Sequence, residues 1–307
     1  MEYIRGTTQF KIEEPTVMSL GKFDGLHRGH ELLMEYIFKK KKKGLKAVIF
    51  TFDIPPRKNV EKIQTQVLTT NEEKVRLFES IGIDYLIECP FTKEIMCMEP
   101  EAFIEEMVNR LHVKYLVVGK DFHFGHNRRG DYKLLQEYAP VYGYEVKVVN
   151  KMQENHRDIS STYIREEILN GDIQKANRLL GYDYFVEGII LHGKKMGKAV
   201  LGIPTINLIP PQEKLLPPNG VYFTKITWNH KEYQGITNVG CKPTIRGNNP
   251  IGVETHIFDF SDDIYDQKVK ISFLNRVREE RKFESLEALI KQMEQDIQSG
   301  REYFKEM

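Results

Sequence analysis

The sequence is poor in cysteine, in charge of one sign and in long apolar runs. Of its 307 residues three are cysteine, Cys89, Cys97 and Cys241. They show no C-x-x-C spacing and cannot all pair, which fits a reducing compartment and gives no thiolate metal site. Lys and Arg number 45 against 44 Asp and Glu, so the chain lacks the basic field that nucleic acid would call for. A run of five lysines, Lys39–Lys43, sits at the end of a predicted helix. Cations there suit the helix dipole, and the run reads as a solvated face. No stretch reaches the roughly eighteen apolar residues of a membrane span. The opening MEYIRGTTQFKIEEP has no signal-peptide core. These absences predict a cytoplasmic protein with neither nucleic acid nor membrane as partner, as a monomer or weak homo-oligomer.

What is present is two contrasting halves, as the length suggests. In the first, short apolar runs at Val17–Leu20, Ala47–Phe52, Tyr85–Ile87, Tyr115–Val118 and Val146–Val149 alternate with amphipathic stretches near Glu31–Lys42, Glu72–Ser80, Pro100–Leu111 and Tyr132–Tyr138. Continuous apolar runs alternating with helices predict an α/β fold, a Rossmann-like parallel sheet with helices on both faces. Near Leu180 the helices give way to extended segments: Phe185–Leu191, Val221–Trp228, Tyr233–Val239, Val253–Phe258 and Val269–Phe273. Asn229-His230 reads as a hairpin turn, and the whole as a small antiparallel β-barrel. A helix from about Leu286 to Ser299, capped by Ser285, closes the chain. The boundary is placed between 182 and 183, giving domains 1–182 and 183–307.

The chemistry-bearing stretches lie where such folds bind ligands. Ser19-Leu-Gly-Lys-Phe-Asp-Gly-Leu-His-Arg-Gly-His30 joins the Val17–Leu20 strand to a helix. Gly21 and Gly25 permit a tight turn, and His27 and His30, three apart, project to one side of a first helical turn. Beside a helix N-terminus this pattern predicts a phosphate site rather than an ordinary strand-to-helix turn that contains histidines. Thr51–Arg57 and Gly119–Gly125 also follow strands, at the carboxyl edge where parallel sheets bind ligands. Ile159-Ser-Ser-Thr-Tyr-Ile-Arg165 offers hydroxyls, free amides and a guanidinium, either as a phosphate cradle or as a capped helix with an exposed Arg. In the second half, Gly193–Gly202 is a glycine- and lysine-rich loop able to wrap phosphates, without a P-loop ending. Thr205 and Asn207 share a face of an extended segment. They are oxygen ligands suited to Mg²⁺, or an ordinary surface pair. Glu254, in an otherwise apolar strand, is a general base or an edge-strand charge, and spacing does not decide.

At this point the sequence resembles a family, the prokaryotic bifunctional riboflavin kinase/FMN adenylyltransferases, or FAD synthetases. LGKFDGLHRGH, TFDIPP, LTTNEEK, VGKDFHFGHNRRGD and SSTYIR are similar to the adenylyltransferase half. LGIPTINL, NGVY, GITNVGCKPTI, VETHIFDF and FLNRVREERKF are similar to the kinase half. The resemblance implies two Mg²⁺-dependent reactions, in which ATP phosphorylates riboflavin to FMN and a second ATP adenylylates FMN to FAD. It implies catalytic roles for His27 and His30 in the first half and for Glu254, as base, in the second. Nucleotide contacts are expected from Gly21, Phe23, Asp24, Gly25, Asp121, Ser161, Thr162 and Arg165, and from Gly193, Lys198, Gly202 and Thr205. Thr205 and Asn207 would hold Mg²⁺. Arg57, Phe122, Phe124, Asn219, Arg278 and Arg281 are expected at the flavin. Two positions depart from the family pattern: Ile206 stands where Ala is usual and Ile54 where Pro is usual.

Overall fold

A computed structural model describes residues 1–53, 66–192, 203–241 and 251–307. Arg57, Gly193, Lys198 and Gly202, with Ile54, lie outside the described residues. By contacts the chain forms two compact units, residues 1–65 with 69–160, and residues 66–68 with 161–307.

The first unit is built on strands β1 (Glu2–Arg5), β2 (Thr16–Leu20), β3 (Lys46–Asp53), β4 (Tyr85–Pro90) and β5 (Val113–Gly119). Between and after them come helices α1 (Glu31–Lys41), α2 (Asn71–Ser80), the short α3 (Lys93–Met96) and α4 (Pro100–Leu111). A two-strand hairpin, β6 (His123–Phe124) and β7 (Gly130–Asp131), leads to α5 (Tyr132–Tyr142) and the last sheet strand, β8 (Glu145–Val149). A second hairpin, β9 (Gln153–Glu154) and β10 (Arg157–Asp158), ends the unit.

The sheet has six strands in the order β1-β4-β3-β2-β5-β8, all pairs parallel. Its residues alternate between two cores, as a sheet covered on both faces requires. Val17, Ala47 and Ile49 point to one core with Ile37 of α1 and Phe78 of α2. Met18, Val48 and Phe50 point to the other with Phe103 and Ile104 of α4 and Leu135 of α5. Strand order runs outward from β2 in both directions, toward β3 on one side and β5 on the other. The crevice of such a switch point, beyond the carboxyl ends of β2 and β5, is where open parallel sheets bind ligands. The loops that follow these two strands are Gly21–His27 and Lys120–Phe122.

The second unit begins with α6 (Ser161–Asn170) and α7 (Ile173–Leu180). Strands β11 (Phe185–Ile189), β12 (Ile206–Leu208), β13 (Gly220–Trp228), β14 (Lys231–Cys241), β15 (Ile251–Ile257) and β16 (Lys268–Glu279) follow. The sheet is antiparallel in the order β11-β16-β13-β14-β15-β12. Its two edges meet where Leu191 N–H donates to the Asn207 carbonyl at 2.8 Å, closing the sheet into a barrel. The Asn229-His230 turn has both residues left-handed, φ 48° and 60°, which is the hairpin geometry that matches strand twist. Inside, the hydroxyls of Thr224, Thr237 and Thr255 form a buried ladder at 2.7 and 2.8 Å. Outside, Val221, Phe223, Ile236 and Phe258 pack against α8 (Leu286–Lys305). Ser285 caps this helix by accepting from the Ala288 amide at 3.2 Å.

Candidate active sites

In the first unit the turn after β2 is held open by its own backbone and by one threonine. Phe23, Gly25 and Leu26 all have positive φ, at 47°, 87° and 36°. Two non-glycine residues in the left-handed region are strain that the surroundings must offset, and such strain gathers at ligand loops. The anchor is Thr69. Its amide donates to Asp24 Oδ1 at 3.0 Å, and its hydroxyl accepts from the Gly25 amide at 3.1 Å. Thr70 next to it caps α2 in a reciprocal box with Glu73. The LTTNEEK motif thus fixes the loop as well as starting a helix.

His27 precedes a single 3₁₀ turn, Arg28–His30, and His30 ends it. Their rings stack with centroids 3.9 Å apart and planes 19° from parallel. Phe23 backs His30 at 5.0 Å, with Phe78 edge-on behind it. His27 is 6% exposed. Burial, and then the charge of the neighbouring His27, hold His30 well below its ordinary pKa of 6.5. The folded chain therefore disfavours the protonated His30 ring, and an anion placed beside it would favour that form.

Gly29 separates the two histidines for a steric reason. A Cβ there would lie 2.8 Å from His27 Nδ1 and 2.9 Å from the Ile159 carbonyl oxygen. The glycine of H-x-G-H is thus the point where the turn passes under the chain leaving β10. Sequence reading noted the histidines but not this contact, which depends on a residue 130 positions further along.

At the end of β5, Asp121 is exposed and pairs with Lys151 Nζ at 2.9 Å, and Lys151 also faces Asp158 at 3.7 Å. The Asp121 hydrogen bond and charge raise the Lys151 pKa. Lys120, Asp121, Asn150, Lys151, Gln153 and Asp158 line one small polar pocket. The two aromatics beside it differ. Phe122 stacks on Phe124 at 5.5 Å, whereas Phe124 is buried against Phe103 of α4 and over Gly130. Phe124 is a core residue of this unit, with Phe122 as the more accessible ring.

In the second unit, α6 begins at Ser161, with Ser161 half-buried and Thr162 exposed. Arg165 Nε donates to the Gln66 carbonyl at 3.0 Å.

The barrel gathers the other polar group. Thr205 Oγ1 donates to Glu254 Oε1 at 2.6 Å. Asn207 is the cross-strand partner of Glu254 on one side, and Asn238 on the other. Directly paired residues share a face, so Asn207, Glu254 and Asn238 form one row on the outer face that also carries α8. His256, two residues along β15, has Nδ1 2.8 Å from the Pro204 carbonyl, which it holds beside Thr205. Ile206 points the other way, paired with Thr255, so the departure from the family pattern leaves this row intact. Asn238 was not singled out from sequence. It lies in GITNVG, and its relation to Glu254 appears only in the strand register.

The remaining flavin candidates lie at the start of β13 and at the end of β16. Arg278 makes a forked ion pair with buried Asp296 of α8, its Nη2 2.6 Å and its Nε 3.0 Å from Oδ2. Arg281 bonds Gln292 and covers the Phe283 ring at 5.0 Å. Asn219 donates to Glu280 at 3.0 Å, and its carbonyl accepts from Arg276. Gly220 follows with φ 155°, where a Cβ would lie 2.5 Å from the Arg278 carbonyl. Arg278 thus ties α8 to the barrel through Asp296, and Arg281 does so through Gln292.

Residues 9–163 match the family described as FAD synthetase, and residues 180–304 match riboflavin kinase. A parallel-sheet unit and an antiparallel barrel that each match an enzymatic family define a transferase with two catalytic domains. The chain belongs to the bifunctional riboflavin kinase/FMN adenylyltransferase family. It is 34% identical over 297 residues to the protein of that name from Bacillus subtilis (strain 168), covering 95% of this chain and 93% of the relative. It is 31% identical over 311 residues to the one from Escherichia coli (strain K12), covering 99% and 98%. A solved structure from Streptococcus pneumoniae, titled a macrolide-efflux protein, superposes with a TM-score of 0.87 at 28% identity and covers 98% of both chains. Among the described residues no helix is long and apolar enough to cross a membrane.

Proposed function

We propose that the barrel unit transfers the γ-phosphate of ATP to the 5′-hydroxyl of riboflavin, and that the parallel-sheet unit joins AMP from a second ATP to the resulting FMN, giving FAD and pyrophosphate. The observation that carries this reading is the Thr205–Glu254 hydrogen bond at 2.6 Å beside Asn207. It brings together the three residues that the kinase motif names, from segments 49 positions apart. Domains 1–182 and 183–307 are proposed as the functional division, with the cytoplasm, where ATP is supplied, as the proposed location.

The two reactions ask for different groups. An alcohol is a poor nucleophile until its proton leaves, so the kinase site needs a base. Glu254 already accepts a hydrogen bond from the Thr205 hydroxyl, and in the reaction it takes the proton of the ribityl hydroxyl. A phosphate monoester such as FMN is ionised near neutral pH, so the adenylyltransferase site needs no base. It needs the attacking phosphate oxygen held in line with the α-phosphorus and the charge on the triphosphate compensated. His27 and His30 supply that compensation, with the backbone of Gly21–Gly25 shaping the turn; the family resemblance assigns contacts to the triphosphate to Ser161, Thr162 and Arg165.

Mg²⁺ suits the kinase residues. Thr205 hydroxyl and Asn207 amide oxygen are hard donors beside a carboxylate. Among the described residues no group of three or more His, Cys, Asp and Glu could cage a metal ion. Few protein ligands are what Mg²⁺ accepts when it keeps waters and phosphate oxygens. When bound with ATP it would neutralise phosphate charge. The test is to incubate the purified chain with ATP, Mg²⁺ and either riboflavin or FMN and to separate the flavins chromatographically. FMN from riboflavin and FAD from FMN are expected. Absence of either product removes the corresponding half of the reading.

A further inference from the structure

The outer face of the barrel carries one continuous row across five strands: Asn207 on β12, Glu254 on β15, Asn238 on β14, Val221 on β13 and Arg278 on β16. Neighbouring strands are about 4.8 Å apart, so the row is a ruler laid across the site. Its two ends differ chemically. On the β12 side stand Thr205 and Asn207. On the other side Asn238 is half-buried, then Val221 is buried under α8 and Arg278 is committed to Asp296.

Phosphoryl transfer is in line, with the attacking oxygen, phosphorus and leaving oxygen roughly collinear. The attacking hydroxyl must also lie within hydrogen-bond reach of its base. With the phosphates on the Thr205 and Asn207 side and Glu254 at the hydroxyl, the rest of the alcohol leads away from the phosphates, toward β14. The first polar side chain it meets along the row is Asn238. Beyond it the row turns apolar, as a ring system rather than a polyol would want. A carboxamide offers a donor and an acceptor, which matches a chain of hydroxyls that are each both.

We propose that Asn238 is a further substrate-contacting residue of the kinase site, its carboxamide hydrogen-bonding the ribityl hydroxyls next to the one that is phosphorylated. The inference rests on the kinase reading of Thr205, Asn207 and Glu254. Asn238 selects the polyol, while Thr205 and Asn207 serve the nucleotide.

The test uses the full chain with ATP and Mg²⁺ and measures KM separately for riboflavin and for ATP. Asn238→Ala is expected to lower kcat/KM for riboflavin about tenfold, as loss of one hydrogen bond to substrate would, with KM for ATP within about twofold of wild type. Asn238→Ser, which keeps a hydroxyl, is expected to fall between the two. Thermal unfolding of each variant reports on the barrel. Unchanged kcat/KM for riboflavin in Asn238→Ala overturns the inference. So does an equal rise in both KM values, or an equal loss for both substrates together with a lowered melting temperature. A wild-type chain that makes no FMN from riboflavin fails the kinase reading itself, whereas active wild type with an indifferent Asn238→Ala fails only this assignment.

Discussion

Substituting Gly29 by Ala adds one methyl group to the adenylyltransferase site and changes no charge or hydrogen bond. The backbone there lies outside the left-handed region, so an L-residue can adopt it, and the contacts alone decide the outcome. The new Cβ would sit 2.8 Å from His27 Nδ1, 2.9 Å from His27 Cε1 and 2.9 Å from the Ile159 carbonyl oxygen. Ordinary contacts are about 3.5–4.0 Å, so each neighbour must retreat by about 0.6–1.2 Å. The Ile159 carbonyl is backbone, on a residue whose amide is bonded to Met152 at 2.9 Å. The His27 ring is the softer partner, and moving it disturbs its stack on His30. Overpacking of this kind costs about 1–3 kcal/mol of stability. A displacement near 1 Å in a positioning group costs about 100-fold in rate. FAD formation from FMN is therefore expected to fall by one to two orders of magnitude, while FMN formation from riboflavin in the same preparation stays at the wild-type rate. Wild-type FAD formation in Gly29→Ala would refute the steric account of H-x-G-H, and equal loss of both activities would show general unfolding instead.

Other perturbations follow from the same geometry. His30 is held below 6.5 in the folded chain, so as pH falls below 6.5 the unfolded chain takes up a proton that the folded one refuses. Stability then declines by up to about 1.4 kcal/mol per pH unit until the folded pKa is reached. His30→Asn should flatten that part of the curve in urea unfolding at pH 5 to 7, and an unaltered slope would contradict it. Asp296→Ala leaves Arg278 without its carboxylate. A loss of about 3–5 kcal/mol is the ceiling for breaking a buried pair, and because Arg278 is partly exposed the lower end is expected, with kinase activity lost before adenylyltransferase activity on heating. Thr237→Val removes the middle hydroxyl of the Thr224–Thr237–Thr255 ladder. Leaving two buried hydroxyls short of a partner should cost about 1–3 kcal/mol, read from denaturant midpoints.

Much of this architecture is written in local pattern. Strands buried on both faces announce themselves as continuous apolar runs, so Val17–Leu20 and Ala47–Phe52 fall within one or two residues of β2 and β3. Ser285 and the Asn229-His230 turn are local chemistry and equally legible. The first strand, Glu2–Arg5, is not, because EYIR is too short to show a period, has exposed charges at both ends and is held as a strand by pairing with β4. The same limit separates site residues. The histidines and Glu254 stand out by type and neighbourhood. Asn238 beside Glu254, Thr69 under Asp24 and Ile159 over Gly29 depend on register and chain crossings that no local period encodes. Phe124 shows the converse, for an aromatic in a site motif can belong to the core behind it.

The account stands on two chemically distinct sites in one chain, and reciprocal variants separate them most directly. Glu254→Ala and His30→Ala are each assayed with ATP and Mg²⁺, once from riboflavin and once from FMN. The account predicts that Glu254→Ala makes FAD from FMN at close to the wild-type rate but no FMN from riboflavin, and that His30→Ala makes FMN but accumulates it without FAD. Loss of both activities in either variant, with the fold intact by circular dichroism, would contradict the assignment of one reaction to each site.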